Sequence, residues 1–596
     1  MRGICKFPGI VAPRCAVLLF AALVVALTFA GGCGGGAGNA SSGGSNSSGD
    51  NTPPTVSITS PSNNATVSGT IVVTASASDN VAVASVQFQV DNANVGSAVS
   101  SAPYNYSLDT TTVSNGTHTL NAVAVDTSGN SAKSAAINVT VSNAGTTPAV
   151  KFPIKAASGG RYFVDQNGAP FMIVADAGHH IICAIPQSSW TAYVSDRKTN
   201  GFNTLDLYGA YSRASSGNCT AAGQAYDGTL PFTTGTDPST YDLSTPNDTY
   251  WREVDTLVSD AAADGLVVIL DPLPWGDAFS TTIVNNGVTA NNGQTKDYNF
   301  GAYIGNRYKN YTNIIYMLGD DFDQSSLPSS ANIGLVAQIM AGIESADPNH
   351  LVTCQLNYNL SWSTQASPYS STFGSALTFN LLYDYFQTYD GVYSAYNNST
   401  LPIWMGEANY ETANNTGGLN PPPGVLGANA FITRMQSWYT MTSGGAGFEF
   451  GNEHVNHFDG SYTSNLDTTA TLQQKYILSL FQTMPWQTFA PDQSHTVVTS
   501  GYGTYNASTD LNLYDANYVT TTWDGKNHAI IYAPATATLT VNLAAFTTPV
   551  SAYWYDPTAG TTTLISGSPF TNSGTHNFTS PAAHSDGYDD WVLVLH

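Results

Sequence analysis

The run from Asn313 to Asp321, Asn-Ile-Ile-Tyr-Met-Leu-Gly-Asp-Asp, decides the fold: an apolar stretch that stops at a glycine and two acids. It is too short for a helix and rich in β-formers, so it reads as a strand buried on both faces. With Asn313 to Leu318 counted as the fourth, eight such strands are predicted. The others are Phe171 to Ala177, Thr204 to Tyr208, Leu266 to Leu270, Leu351 to Leu356, Leu377 to Leu382, Pro402 to Met405 and Ala446 to Phe450. Helical patterns lie between them at Ser189 to Asn200, Tyr250 to Ala263, Asn332 to Ser345, Gly427 to Thr442 and Leu472 to Thr483. In the second of these, Trp251, Val254, Leu257, Val258 and Ala261 fall on one face, and Asn247 or Asp248 can cap it. Strand and helix alternating in this way predict a (β/α)8 TIM barrel with enlarged loops. The rival, a doubly wound open sheet, lacks the glycine-rich phosphate loops that often follow its strands.

Outward from the barrel the pattern changes on both sides. Residues 54–143 carry short alternating runs such as Val86-Gln-Phe-Gln-Val90, separated by Asn, Asp, Gly and Ser, and predict an N-terminal β-sandwich. Residues 487–596 are again strand-like, at Ala529 to Tyr532, Leu539 to Leu543, Ala552 to Tyr555 and Trp591 to Leu595. They predict a C-terminal β-sandwich packed on the barrel, whose own span is 150–486. At the start, Arg2, Lys6 and Arg14 precede an apolar run from Ala16 to Ala30, the form of an export signal over residues 1–33. A Gly/Ser-rich linker follows at 34–53. Phe29-Ala-Gly-Gly-Cys33 resembles a lipoprotein signal, so the expectation is an exported bacterial protein, either secreted or held at the outer surface by a lipidated Cys33. Beyond the leader, Cys183 and Cys219 are candidates for a loop-to-loop bridge, and Cys354 reads as a buried thiol.

Charge narrows the partners. The 596 residues include 17 Lys and Arg against 41 Asp and Glu, and the charged fraction of 10% is well below that of an average soluble protein. A net charge of −24 opposes binding to a phosphate backbone, so nucleic acid is excluded as a partner, and a monomer is expected.

Against that sparse background the predicted strand ends are crowded with acids. They carry Asp176 with His179 and His180, Asp206 and Tyr208, Asp271 with Trp275, Asp320 with Asp321, Asn357, Tyr383 with Asp384, Glu407, and Glu449 with Asn452 and Glu453. Barrel enzymes place their chemistry at these ends. Two carboxylates across an aromatic-lined cleft suit glycosidic bond cleavage, one protonating the leaving oxygen and the other attacking the sugar or activating water. The ends of strands four and seven lie across the barrel mouth and carry Asp321 (or Asp320) and Glu407; by analogy with sugar-cleaving barrels, which often use those two strands in this order, Asp321 is the candidate acid/base and Glu407 the candidate nucleophile. Asp176, His179, Tyr208, Asp271, Trp275, Asp320, Asn357, Tyr383 and Asn452 are the candidate substrate-binding residues.

The segments Arg307-Tyr-Lys-Asn-Tyr-Thr-Asn-Ile-Ile-Tyr-Met-Leu-Gly-Asp-Asp321, Leu401-Pro-Ile-Trp-Met-Gly-Glu407 and Ser443-Gly-Gly-Ala-Gly-Phe-Glu-Phe-Gly-Asn-Glu453 resemble those of the apiosidase-like glycoside hydrolases, family 140 and its relatives. The tail with Trp554-Tyr-Asp-Pro and Trp591-Val-Leu-Val-Leu595 resembles the collagen-binding-type β domain that follows them, and Pro53 to Ser142 resembles a bacterial immunoglobulin-like domain. The resemblance implies a glycosidase acting on a plant-wall or microbial polysaccharide; in that family the strand-four motif typically reads Gly-Gly-Asp, where this chain has Gly319-Asp320-Asp321. It implies Asp321 as the acid and Glu407 as the nucleophile of a retaining mechanism, with no cofactor and no metal. Protease and esterase readings fall away for want of His-Glu-x-x-His and Gly-x-Ser-x-Gly motifs, and His454-Val-Asn-His457 has no evident third zinc ligand. The remaining rival is an inactive surface protein that binds carbohydrate through its β domains.

Overall fold

The computed structural model describes residues 50–596 except 68–69, 111–115, 142–151, 211–218, 221, 275–287, 323–329, 357–359, 362–372, 374–375, 414–426 and 507–512. The leader, Cys33 and most of the linker therefore lie outside the described residues. No described helix is long and apolar enough to cross a membrane. The chain forms two compact units, Met1–Ala144 and Gly145–His596.

The first unit is an immunoglobulin-like sandwich. One sheet pairs Thr55–Ser60, Thr70–Ser78 and Tyr104–Asp109, and the other is built around Val83–Val90 and Gly116–Asp126. Alternation along the strands turns Val86, Phe88, Ala122, Ala124 and Val139 into a shared core.

The second unit holds the barrel. Its strands are β1 (Ile173–Ala177), β2 (Thr204–Tyr208), β3 (Val267–Asp271), β4 (Ile314–Phe322), β5 (Val352–Leu356), β6 (Asn380–Tyr383), β7 (Ile403–Glu407) and β8 (Gly447–Phe450). Neighbours pair in parallel from β5 through β1 to β8 and on to β6. Between β5 and β6 the ring is closed by Thr378, whose N–H donates to the Val352 carbonyl at 2.9 Å and whose hydroxyl accepts the Val352 N–H at 2.8 Å. Four strands run further at their C-terminal ends than the sequence predicts: β3 takes in Asp271, β4 continues past Leu318 to Phe322, β6 reaches Tyr383 and β7 reaches Glu407.

The surrounding helices are α1 (Trp190–Thr199), α2 (Asp248–Ala263), α3 (Val288–Tyr308), α4 (Ser330–Ala346), α5 (Thr388–Asn398), α6 (Ala430–Thr442), α7 (Glu453–His457) and α8 (Thr469–Phe481). α2 buries the predicted face of Trp251, Val254, Leu257, Val258 and Ala261. Of its two candidate caps, Asn247 does the capping, its side chain accepting the Thr249 N–H at 3.1 Å. Cys183 and Cys219 form a disulfide, and Cys354 is a buried free thiol.

The C-terminal strands form a six-stranded and a three-stranded antiparallel sheet around a core that includes Ile531, Leu539, Val541 and Leu593. This sandwich packs on the barrel through α6, in which every residue from Phe431 to Thr442 is buried. Trp438 stacks on Tyr532 at 5.9 Å between ring centroids, and the Tyr439 hydroxyl donates to the Tyr518 carbonyl at 2.9 Å. Arg434 makes a two-pronged pair with Asp590, at 2.9 Å from Nε and 2.6 Å from Nη2, and both side chains are sealed from solvent. Removing one member of such a pair strands the other charge in a dry interface. Asp590→Ala is therefore expected to cost about 3 kcal/mol or more in urea unfolding. A loss below about 1 kcal/mol would mean that Asp586, 2.9 Å from Nη1, compensates alone.

Candidate active site

The ends of β4 and β7 are irregular in the same way. On β4, Leu318 pairs with Cys354 and Phe322 with Leu356, so Gly319, Asp320 and Asp321 all stand opposite the single residue Gln355. Gly319 has φ +127°, and a Cβ there would lie 2.3 Å from the Gln355 carbonyl oxygen, so no side chain fits. Asp320 is left-handed, with φ +68°, a conformation Asp tolerates better than most residues. On β7, Leu382 pairs with Met405 and Tyr383 with Glu407, leaving Gly406 as the extra residue. Bulges of this kind re-aim the side chains around them. The Glu407 carboxylate accepts a 2.6 Å hydrogen bond from Gln355 Nε2, so the bulged end of β7 meets the residue that faces the β4 bulge.

Aromatic rings and further acids surround this junction. Tyr208 is buried, and its ring stacks on His179 at 4.0 Å between centroids. Burial holds the Tyr208 hydroxyl well above the usual phenol range, and the charges of Asp320, Glu407 and Asp206 push it further. Tyr410 is raised likewise, by burial and then by Glu407 and Glu449. His179 Nε2 lies 3.5 Å from Asp206 and 3.9 Å from Glu449. Burial, followed by repulsion from Asp206, raises the Glu449 carboxyl well above the carboxylate range. Burial raises Asp271 too, although its carboxylate accepts the Leu273 N–H at 3.0 Å.

The structure thus brings Asp320, Glu407, Tyr208, His179 and Asp271 together, and separates other candidates from them. Asp176 points into the helix layer, where it pairs with Arg197 Nη1 at 3.1 Å and accepts the Tyr193 hydroxyl at 2.6 Å. Its place at a strand end reflects fold stability, not the substrate contact the sequence suggested. Asn452 is likewise corrected to a structural role: its side-chain oxygen caps α7 through the His454 and Val455 N–H groups, and its amide donates to Glu411. Tyr383 donates to the Tyr385 hydroxyl, and His180 Nδ1 bonds the Asn456 carbonyl at 2.8 Å. Trp275, Asn357 and the side chain of Asp321 lie outside the described residues, and with them the separation of the Asp321 and Glu407 carboxyls. Sequence reasoning did not select Gln355, Tyr410, Asp206 or Glu449 as site residues. Gln355 had a legible signal, a lone amide in the apolar strand Val352-Thr-Cys-Gln-Leu356.

Two groups among the described residues could hold a metal ion: His179 with Asp206 and Glu449, and Asp50 with Asp79 and Asp126 in the N-terminal unit. His454 and His457 make no such pair, since their Nδ1 atoms engage Asp459 and the Glu453 carbonyl.

A parallel eight-stranded barrel with carboxylates at the ends of strands four and seven beside aromatic rings defines a glycoside hydrolase type of catalytic unit. The chain belongs to the apiosidase-like family: the model described as Apiosidase-like, catalytic domain, matches residues 157–488. A Bacterial Ig domain model matches 54–122, and the model named for the collagen-binding domain of a collagenase matches 509–596. In fold the chain is similar to a solved structure titled Glycoside hydrolase, with TM-score 0.60 and 19% identity over 74% of this chain and 96% of that one. It is equally similar to a glycoside hydrolase family 5 structure from Bacteroides vulgatus, with TM-score 0.60 and 19% identity over 74% and 93% of the two chains. No curated protein matches the sequence.

One strand-end acid faces away from this site. Asp384, at the end of β6, accepts the Phe386 N–H at 2.8 Å, and burial, with repulsion from Asp390, pushes its pKa up to about 7. The folded state therefore keeps a proton that the unfolded chain releases near pH 4, and stability falls as pH rises from 4 to 7. Asp384→Asn should raise stability at pH 8 by up to about 4 kcal/mol and leave it unchanged at pH 4. Melting curves at the two pH values test this, and an equal effect at both would refute it.

Proposed function

We propose that this protein is an exported glycosidase that cleaves a plant-wall or microbial polysaccharide with retention of configuration. Glu407 attacks the anomeric carbon, and Asp321 protonates the leaving oxygen and then activates the water that releases the sugar. The observation that carries the reading is the paired bulge at the ends of β4 and β7, with Glu407 held by Gln355 opposite the β4 acids. The Gln355 amide bond fixes the orientation of the carboxylate at the strand end. Asp320, buried beside Tyr208, is assigned to sugar hydroxyls, together with Tyr208, Trp275, Asn357 and Tyr383. The leader and Cys33 support an outer-surface or secreted location, and the N-terminal sandwich serves as a spacer.

Glu407→Gln keeps the size of the side chain and its bond to Gln355, but removes the nucleophile. Activity on a panel of aryl glycosides and wall polysaccharides should fall about a thousandfold or more, with the melting temperature nearly unchanged. Asp321→Asn should slow substrates with poor leaving groups most and be rescued by azide, whereas Asp320→Asn should mainly raise KM. Azide rescue of Asp320→Asn instead would exchange the two roles. A product of inverted configuration, read by proton NMR, would overturn the retaining mechanism.

A further inference from the structure

The floor of the barrel mouth holds a group for which the two-carboxylate mechanism has no use. His179 after β1, Asp206 on β2 and Glu449 on β8 are 5%, 1% and 4% exposed. One ligand-capable atom from each lies within 4.8 Å of those of the other two. His179 Nε2, both Asp206 oxygens and both Glu449 oxygens are sealed from solvent with no hydrogen-bond partner among the described residues. Polar atoms buried in this way ordinarily find partners, and five in one place point to a missing shared one. No Lys or Arg supplies it: among the described residues, none forms an ion pair with Asp206 or Glu449, and the nearby Arg197 is committed to Asp176 and Asp196.

We propose that His179, Asp206 and Glu449 form a binding site for one divalent first-row cation of the zinc or manganese kind. One imidazole nitrogen and two carboxylates make a mixed donor set that suits such ions, whereas calcium and magnesium favour oxygen ligands alone. Three protein ligands leave coordination positions open, the pattern of sites that engage a substrate. The stacked Tyr208 ring holds the imidazole plane, so that Nε2 is presented to both carboxylates. Ligands about 2.0–2.2 Å from a common ion stand roughly 3–3.5 Å apart, close to the 3.5 and 3.9 Å seen here, so small side-chain rotations complete the shell. β7 and β8 pair in parallel, Met405 against Phe448, so Glu449 stands on the strand next to the one that carries the attacking carboxylate. There the ion's open positions would take two hydroxyls of the bound sugar, a step that rests on the glycosidase reading.

The test uses the full-length protein, stripped with a chelator and titrated with zinc chloride and manganese chloride by calorimetry. One ion should bind per barrel, raising the melting temperature, and Glu449→Gln or His179→Gln should weaken binding at least about tenfold while the metal-free protein still melts cooperatively. Absence of binding by the wild-type protein would overturn the proposal and leave only a proton shared between Asp206 and Glu449. So would binding that survives both substitutions but is lost in Asp79→Asn, since the ion would then sit in the N-terminal unit. Calorimetry needs no sugar, so failure here leaves the glycosidase reading intact, and unaltered turnover by Glu407→Gln leaves the cation site intact.

Discussion

Negative charge crowded into a barrel mouth, with no guanidinium among the described residues paired to Asp206 or Glu449, is the constraint around which this structure is arranged. The arginines of the described residues are spent elsewhere: Arg197 on Asp176 and Asp196, Arg307 on Asp248 and Asp255, Arg434 on Asp586 and Asp590. The mouth acids are accommodated by other means. Asp271 takes the Leu273 N–H group, and Glu407 takes the Gln355 amide. Burial pushes two of the mouth acids, Asp271 and Glu449, toward the form that carries a proton.

The backbone contributes through departures from regularity. A uniform parallel ladder would alternate side chains strictly between the interior and the helix layer. The extra residues at Gly319 to Asp321 and at Gly406 break that alternation at the two strand ends where catalysis is proposed. Glycine is required at 319 because two backbones approach too closely for any Cβ. Next to the bulges, the Gln355 amide links β5 to β7 through Glu407, and the end of β3 is turned by the Leu273 N–H on the Asp271 carboxylate.

Most of the scaffold was legible in the sequence, because runs such as Leu266 to Leu270 and the face of α2 obey simple periodicities. The site was legible in part. Strand position singled out Glu407 and Asp320, but it also selected Asp176 and Asn452, whose roles depend on Arg197 and on the N–H groups of α7, partners a local pattern cannot reveal. Gln355 lies 52 positions from the carboxylate it holds, and Glu449 lies far along the chain from Asp206. Such contacts exist only once the barrel closes. The bulges were equally hidden, since a strand that gains residues reads in one dimension as a strand that ends early.

The burial of α6 on all sides limits how the chain can be divided. A helix whose outward face carries Trp438, Tyr439 and Arg434 beneath the C-terminal sandwich cannot be exposed to water without leaving a greasy, charged scar. Barrel and C-terminal sandwich therefore act as each other's solvent along this helix, and a cut between them would leave neither with a finished surface.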